Sequence, residues 1–223
     1  MTTGSKRVTR SPVDRRKLSS SNASPPAKTY DREYFEHWYR HPRARVSTAA
    51  SLARKVRMAV GMTEFLIGRP IRSVLDVGCG EAPWFPVLRR MRPDVRYIGI
   101  DSSEYAIQRY GKTRNIRRGT LDDLDTMRLP RVVDLVVCAD VLQYVDRRGV
   151  ERGLKAIRRL LGGVAYIEAF TTEDDMAGDH GGWHERSAVE YRELFATAGL
   201  TQCGPHCYAD LDDMDYLITF ERF

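Results

Sequence analysis

Two glycines one residue apart, Gly78-Cys79-Gly80, follow directly on a short β-branched run in residues 71–77, and Pro83 with an apolar helical pattern comes next. This order reads as a buried strand, a tight turn and a helix start. Glycine reaches positive φ at little cost and, having no side chain, lets a ligand lie against the main chain near the positive end of the following helix. A carboxylate, Asp101, closes the next strand pattern. From a strand end in an open sheet, a carboxylate can accept hydrogen bonds from both hydroxyls of a ribose. The dinucleotide fingerprint Gly-x-Gly-x-x-Gly would need glycine at 83, where Pro83 stands, and no Gly-Lys-Ser or Gly-Lys-Thr accompanies the turn. The chemistry written here is nucleoside binding without a phosphate cradle.

Acid–base candidates fall later in the chain. Residues 179–186 read Asp-His-Gly-Gly-Trp-His-Glu-Arg, and the paired glycines would let this loop move as a lid. His180 or His184 is the expected catalytic base if the reaction needs one, with Glu168, near the end of the fifth strand pattern, orienting an amine or hydroxyl. Tyr30, Tyr34, His37 and Trp38 are further candidates for lining the site from above. Cys203, His206 and Cys207 are soft donors, but no companion pair at ligand spacing joins them, so no metal is expected. The four cysteines are read as reduced.

The elements that must position these groups alternate. Strands are expected at 71–77, 95–101, 116–118, 132–138 and 164–170, with helices at 83–91, 103–110, 147–161 and 187–198. Two further strands, 200–208 and 216–220, end the chain without a crossover helix between them. The expected fold is α/β: a doubly wound, Rossmann-like seven-stranded sheet, mostly parallel, with an antiparallel C-terminal edge pair. Such sheets bind ligands beyond the carboxyl ends of the strands, which brings residues 78–80, Asp101, the segment after Arg118 and Ala139-Asp140 to one rim. Before the first strand, residues 29–70 form an N-terminal helical cap: an aromatic-rich segment over 30–40 and a helix over 47–66 stopped by Gly68 and Pro70. The α/β core is expected over 71–223, so that 29–223 is a single domain.

The formal charge of +6 suggests nucleic acid until it is located. Residues 1–28 hold seven Lys or Arg and one acid, which accounts for the whole surplus. This segment is poor in apolar residues and reads as a disordered basic tail. Nucleic acid is therefore not an expected partner except through the tail, and the oligomeric state is not readable. No apolar run reaches the roughly 18 residues of a membrane span and no apolar signal core opens the chain, so a cytoplasmic protein is expected.

Three segments taken together resemble a known family. Val74-Leu-Asp76-Val-Gly78-Cys79-Gly80, Gly99-Ile-Asp101-Ser102-Ser103 and Asp134-Leu-Val-Val-Cys-Ala139-Asp140-Val-Leu142-Gln143-Tyr144-Val145 look like motifs I, II and IV of the class I S-adenosylmethionine-dependent methyltransferases. The resemblance runs in order from about residue 71 to the C-terminus. It implies S-adenosylmethionine as cofactor, with Gly78, Cys79 and Gly80 passing under its methionine part and Asp76 orienting that turn. Asp101, with Ser102 beside it, would hold the ribose diol, Thr120 and Leu121 would flank the adenine, and the Ala139 carbonyl would face the cofactor's amino group. Two departures are visible: Ala82 replaces a frequent third glycine, and Thr120 stands where an Asp often receives the adenine amino group, a bond that Thr120 or Asp122 would accept. Motif IV lacks the Pro-Pro-aromatic segment of enzymes that methylate base nitrogens, which implies a small-molecule acceptor. An RNA or protein methyltransferase recruited by the tail, or a non-catalytic cofactor-binding regulator, are the alternatives.

Overall fold

A computed structural model describes residues 28–41, 48–174 and 181–210. Strands β1 (Ser73–Val77), β2 (Arg96–Asp101), β3 (Ile116–Arg118), β4 (Val133–Ala139), β5 (Leu161–Glu168), β6 (Thr201–Gly204) and β7 (Cys207–Ala209) form one sheet in the order β3-β2-β1-β4-β5-β7-β6. The first five are parallel, and β7 runs antiparallel to both β5 and β6. The expected fold class is thus borne out, and its strand order reverses between β1 and β4, where a doubly wound sheet opens a crevice.

Strand residues alternate between two apolar layers. Leu75, Val136, Cys138 and Ile167 point to the layer containing Val150, Leu154 and Ile157 of α5 (Arg147–Leu160) and Leu194 and Phe195 of α6 (Ala188–Thr197). Val74, Leu135, Val137 and Tyr166 point to the other, with Val56 and Val60 of α2 (Ala49–Ile67) and Trp84 and Leu88 of α3 (Trp84–Met91). Covering on both faces explains why β4 is apolar at nearly every position, with Asp134 as the exception. That carboxylate is held by both Arg69 guanidinium nitrogens and by the Arg72 and Ser73 amides, which fastens the start of β4 beside β1.

Helix α4 (Glu104–Arg114) is capped by the Ser103 hydroxyl and ends at Asn115 in the left-handed region. Helix α6 opens on a capping box, in which the Ser187 side chain and the Glu190 side chain each accept from the other's backbone amide. The cap differs from a simple helix: α1 (Arg32–Phe35) is one turn and continues as a π turn over Glu36–Arg40.

Two strand expectations need correction. The run 200–208 is two strands, because Pro205 and His206 make a turn, with His206 at φ +55°, that folds β6 back on β7. The edge pair therefore forms within that run, and the expected strand at 216–220 lies outside the described residues. Strand β5 also begins earlier than its apolar pattern, at Leu161, and stops at Glu168.

Candidate functional site

The turn after β1 is tied to β2 by its own backbone. Gly78 and Cys79 N–H groups donate to the Ile100 carbonyl at 2.8 and 3.1 Å, and the Gly80 N–H donates to Asp101 Oδ2 at 2.6 Å. Asp101 Oδ1 accepts from the Ser103 amide at 2.8 Å, so this carboxylate joins the glycine turn to the start of α4. Burial pushes its pKa up, against the pull of these amides. Gly78 and Gly80 have φ of +69° and +53°. A Cβ on Gly78 would stand 2.2 Å from Val141 Cγ2, and one on Gly80 3.0 Å from the Phe35 ring, so the turn lies between the loop after β4 and the N-terminal cap. Ala82 takes a left-handed φ of +56° and is fully buried, so the chain keeps the conformation of a third glycine without having one.

Two adjoining cavities open on this turn. One, about 230 Å³, is walled by Asp101, Ser102, Gly119, Thr120, Leu121, Val141 and Val145 from the sheet rim and by Tyr30, Tyr34 and Tyr144 above. The other, about 310 Å³, is walled by Asp76, Cys79, Trp84, Lys55, Glu168 and Phe170. Phe35, Tyr39, Gly78, Gly80, Ala139 and Asp140 line both, and joined they reach the range of small-molecule sites, roughly 300–1,000 Å³.

Every residue expected to touch the cofactor lines one or both cavities: Asp76, Gly78, Cys79, Gly80, Asp101, Ser102, Thr120, Leu121 and Ala139. Asp76 lies beneath the turn, accepting the Tyr97 hydroxyl at 2.6 Å, and burial pushes its pKa up to about 7. Thr120 faces the first cavity while donating to Asp123, whereas the Asp122 carboxylate pairs with Arg152 on α5. The residues suit an adenosyl amino-acid cofactor: an apolar slot at Leu121 and Val141, a carboxylate at the β2 end, and a side-chain-free main chain between the two halves.

Of the acid–base candidates, Glu168 lines the second cavity. Its carboxylate accepts two bonds from Lys55 Nζ at 2.5 and 2.7 Å and one from the Tyr166 hydroxyl at 3.0 Å. His184 is exposed, lines neither cavity, and uses its amide to donate to the Gln143 carbonyl at 2.7 Å. His180 lies outside the described residues. His37 and Trp38 line neither cavity, whereas Tyr30 and Tyr34 line the first.

Several site residues were not singled out from sequence. Lys55 gave a weak signal, being one cation on the polar side of α2. Tyr39 and Phe35 belong to the aromatic run, and Phe35 is buried with its ring stacked on Tyr105 at 5.8 Å. The Ser103 hydroxyl donates to the Tyr30 carbonyl at 2.5 Å, latching this segment over the first cavity. Lys28 stands 3.9 Å over the Tyr144 ring and 5.4 and 5.3 Å from Tyr30 and Tyr34, a cation–π contact with three rings that line the first cavity. Arg186, buried, donates to the Leu142, Val145 and His184 carbonyls and so fixes the loop that carries Tyr144.

Comparison with known proteins agrees with this geometry. Residues 34–207 match the model of a family described as a methyltransferase domain. A curated relative, the phenazine O-methyltransferase PhzM of Lysobacter antibioticus, is 26% identical over 193 residues, covering 77% of this chain. The chain spans about 56% of that relative's length. Among solved structures, the sugar N-methyltransferase KedS8 of a Streptoalloteichus species aligns with a TM-score of 0.59 at 20% identity, covering 84% of this chain and 91% of that one. A methyltransferase from Archaeoglobus fulgidus has the same TM-score at 13% identity, covering 76% and 74%. The glycine turn, the carboxylate at the end of β2, the sheet order and the family match together make this chain a member of the class I S-adenosylmethionine-dependent methyltransferases.

Proposed function

We propose that this protein transfers a methyl group from S-adenosylmethionine to a small-molecule acceptor by in-line displacement. The observation that carries the reading is the pair of joined cavities, one lined by the residues expected to hold a nucleoside and one with aromatic walls and acid–base groups, meeting at the glycine turn. The name of the curated relative, a phenazine methyltransferase, favours a small-molecule acceptor. In this reading residues 29–223 act as one methyltransferase domain with 29–70 as its cap, and 1–28 as a basic tail.

When bound, S-adenosylmethionine supplies a methyl group already activated by its sulfonium, so the protein's main task is alignment, for which roughly 7–11 kcal/mol is available from positioning alone. Asp101 and Ser102 would hold the ribose, Leu121 and Thr120 the adenine, and Gly78, Cys79 and Gly80 the methionine part. Asp76 would support the turn from below, and the Ala139 carbonyl would accept from an amino group. Glu168, held by Lys55, would orient the acceptor, while Phe35 and Tyr39 exclude water.

Calorimetry tests the cofactor half: wild type should bind S-adenosylmethionine and S-adenosylhomocysteine, and Asp101→Ala should weaken both. A screen of metabolite extracts with a methyl-labelled donor tests the rest. A labelled small molecule that disappears with Asp101→Ala is the expected result, and absence of any labelled product from the wild type would refute the activity.

A further inference from the structure

S-adenosylmethionine carries its nucleoside on one side of the sulfur and its amino acid on the other. With the cofactor laid across the glycine turn as in the methyl-transfer reading, a residue that walls both cavities would flank the sulfur and the methyl it bears. Six residues do so, and Asp140 is the one carboxylate among them. Its backbone takes the left-handed conformation, φ +66°, which side-chain-bearing residues avoid and Asp and Asn tolerate best. Its amide donates to the Glu168 carbonyl at 2.8 Å, and Gln143 Nε2 donates to its Oδ1 at 2.5 Å.

Charge in the second cavity is unevenly matched. Its cations, Arg40 and Lys55, are paired with Glu81 and Glu168, and Asp76 is bonded by Tyr97. Asp140 is in no ion pair among the described residues, although Lys28, Lys55 and Glu168 act on it through space from the segment just before the cap, from α2 and from β5. Tyr34 and Tyr39 face it from the cap.

We infer that Asp140 faces the transfer point and receives an acceptor that arrives as an ammonium ion, making the substrate class a small amine. This rests on the methyl-transfer reading above. One proton of the ammonium passes to Asp140 Oδ2 and the electron pair of the broken N–H bond stays on nitrogen as the lone pair needed for attack. The carboxylate becomes a neutral carboxyl, and charge balances. Burial and the neighbouring Glu168 push the Asp140 pKa up, the direction that favours accepting this proton.

The test variant is Asp140→Asn, which keeps the left-handed backbone and an acceptor for Gln143 but removes the charge. The probes are sinefungin, which has an ammonium-bearing carbon where the cofactor has its methyl-bearing sulfur, and S-adenosylhomocysteine, which is neutral there. Calorimetry on the full chain at pH 7 should show wild type preferring sinefungin about tenfold, as a charge-assisted pair allows. Asp140→Asn should lose the preference while binding S-adenosylhomocysteine within about threefold of wild type. A variant that keeps the preference, a wild type that has none, or a variant that loses both ligands overturns the inference. In the extract screen the label should sit on nitrogen; a methyl on oxygen or carbon overturns the amine assignment. Failure of wild type to bind S-adenosylhomocysteine would instead bring down the methyl-transfer reading itself.

Discussion

Asp76 gives the sharpest prediction, because burial has moved a carboxyl from the ordinary range near 3.8 up to about 7. In the unfolded chain this group ionises near pH 4, and in the folded protein it holds its proton to about pH 7. Between those values the native state binds the extra proton, so stability falls as pH rises. The slope is about 1.4 kcal/mol per pH unit, and across the window the change is about 4 kcal/mol. Below pH 4 the contribution is fully present, and above 7 it is spent. Asp76→Asn removes the titration while leaving an oxygen to accept the Tyr97 hydroxyl. Urea unfolding of both proteins from pH 4.5 to 8 isolates the effect as wild type minus variant, which cancels the other carboxyls to first order. Asp101 is coupled to Asp76, so the difference reports on the pair. The stability difference should tilt against wild type steadily to pH 7 and then level off; parallel curves would show that the site leaves Asp76 an ordinary acid.

Gly78→Ala must strain a φ of +69° and push a methyl onto Val141, at a combined cost of about 2–5 kcal/mol. A melting temperature within a degree of wild type would refute that. Arg186→Ala leaves three loop carbonyls without their charged donor and should cost about 3 kcal/mol in urea unfolding, with Arg186→Lys restoring only part. Asp134→Asn breaks the paired contact with half-exposed Arg69 and should cost about 1–2 kcal/mol at pH 7, with cofactor affinity unchanged by calorimetry. Although burial opposes it, Arg69 and the backbone amides hold the Asp134 pKa below the usual range. Its stabilisation is therefore present above pH 4 and fades as pH falls through the lowered folded value, so wild type and variant should converge in acid.

What could be read from sequence was local. Residues 71–80 announce themselves because a β-branched run and the glycines after it act within a few residues, and Asp101 is marked by ending a strand pattern. The nearly continuous apolar character of β4 goes with helices on both faces of the sheet, where the two core layers lie. The local pattern is ambiguous at 200–208, which is apolar enough for one strand, yet Pro205 and the left-handed His206 turn it into two.

The sequence by itself determined the parallel α/β class and the residues around the glycine turn, since both follow from periodicity and backbone freedom at neighbouring positions. Only the tertiary structure decided how the second cavity is furnished. Lys55 and Glu168 are 113 positions apart and meet because α2 packs across β5. Asp140 reads in the chain as one more acid after a strand. The strand pattern already puts it on the ligand-binding rim; that it is the carboxylate shared by both cavities follows from β4 pairing with β1 at the reversal of strand order, which is set by long-range sheet assembly.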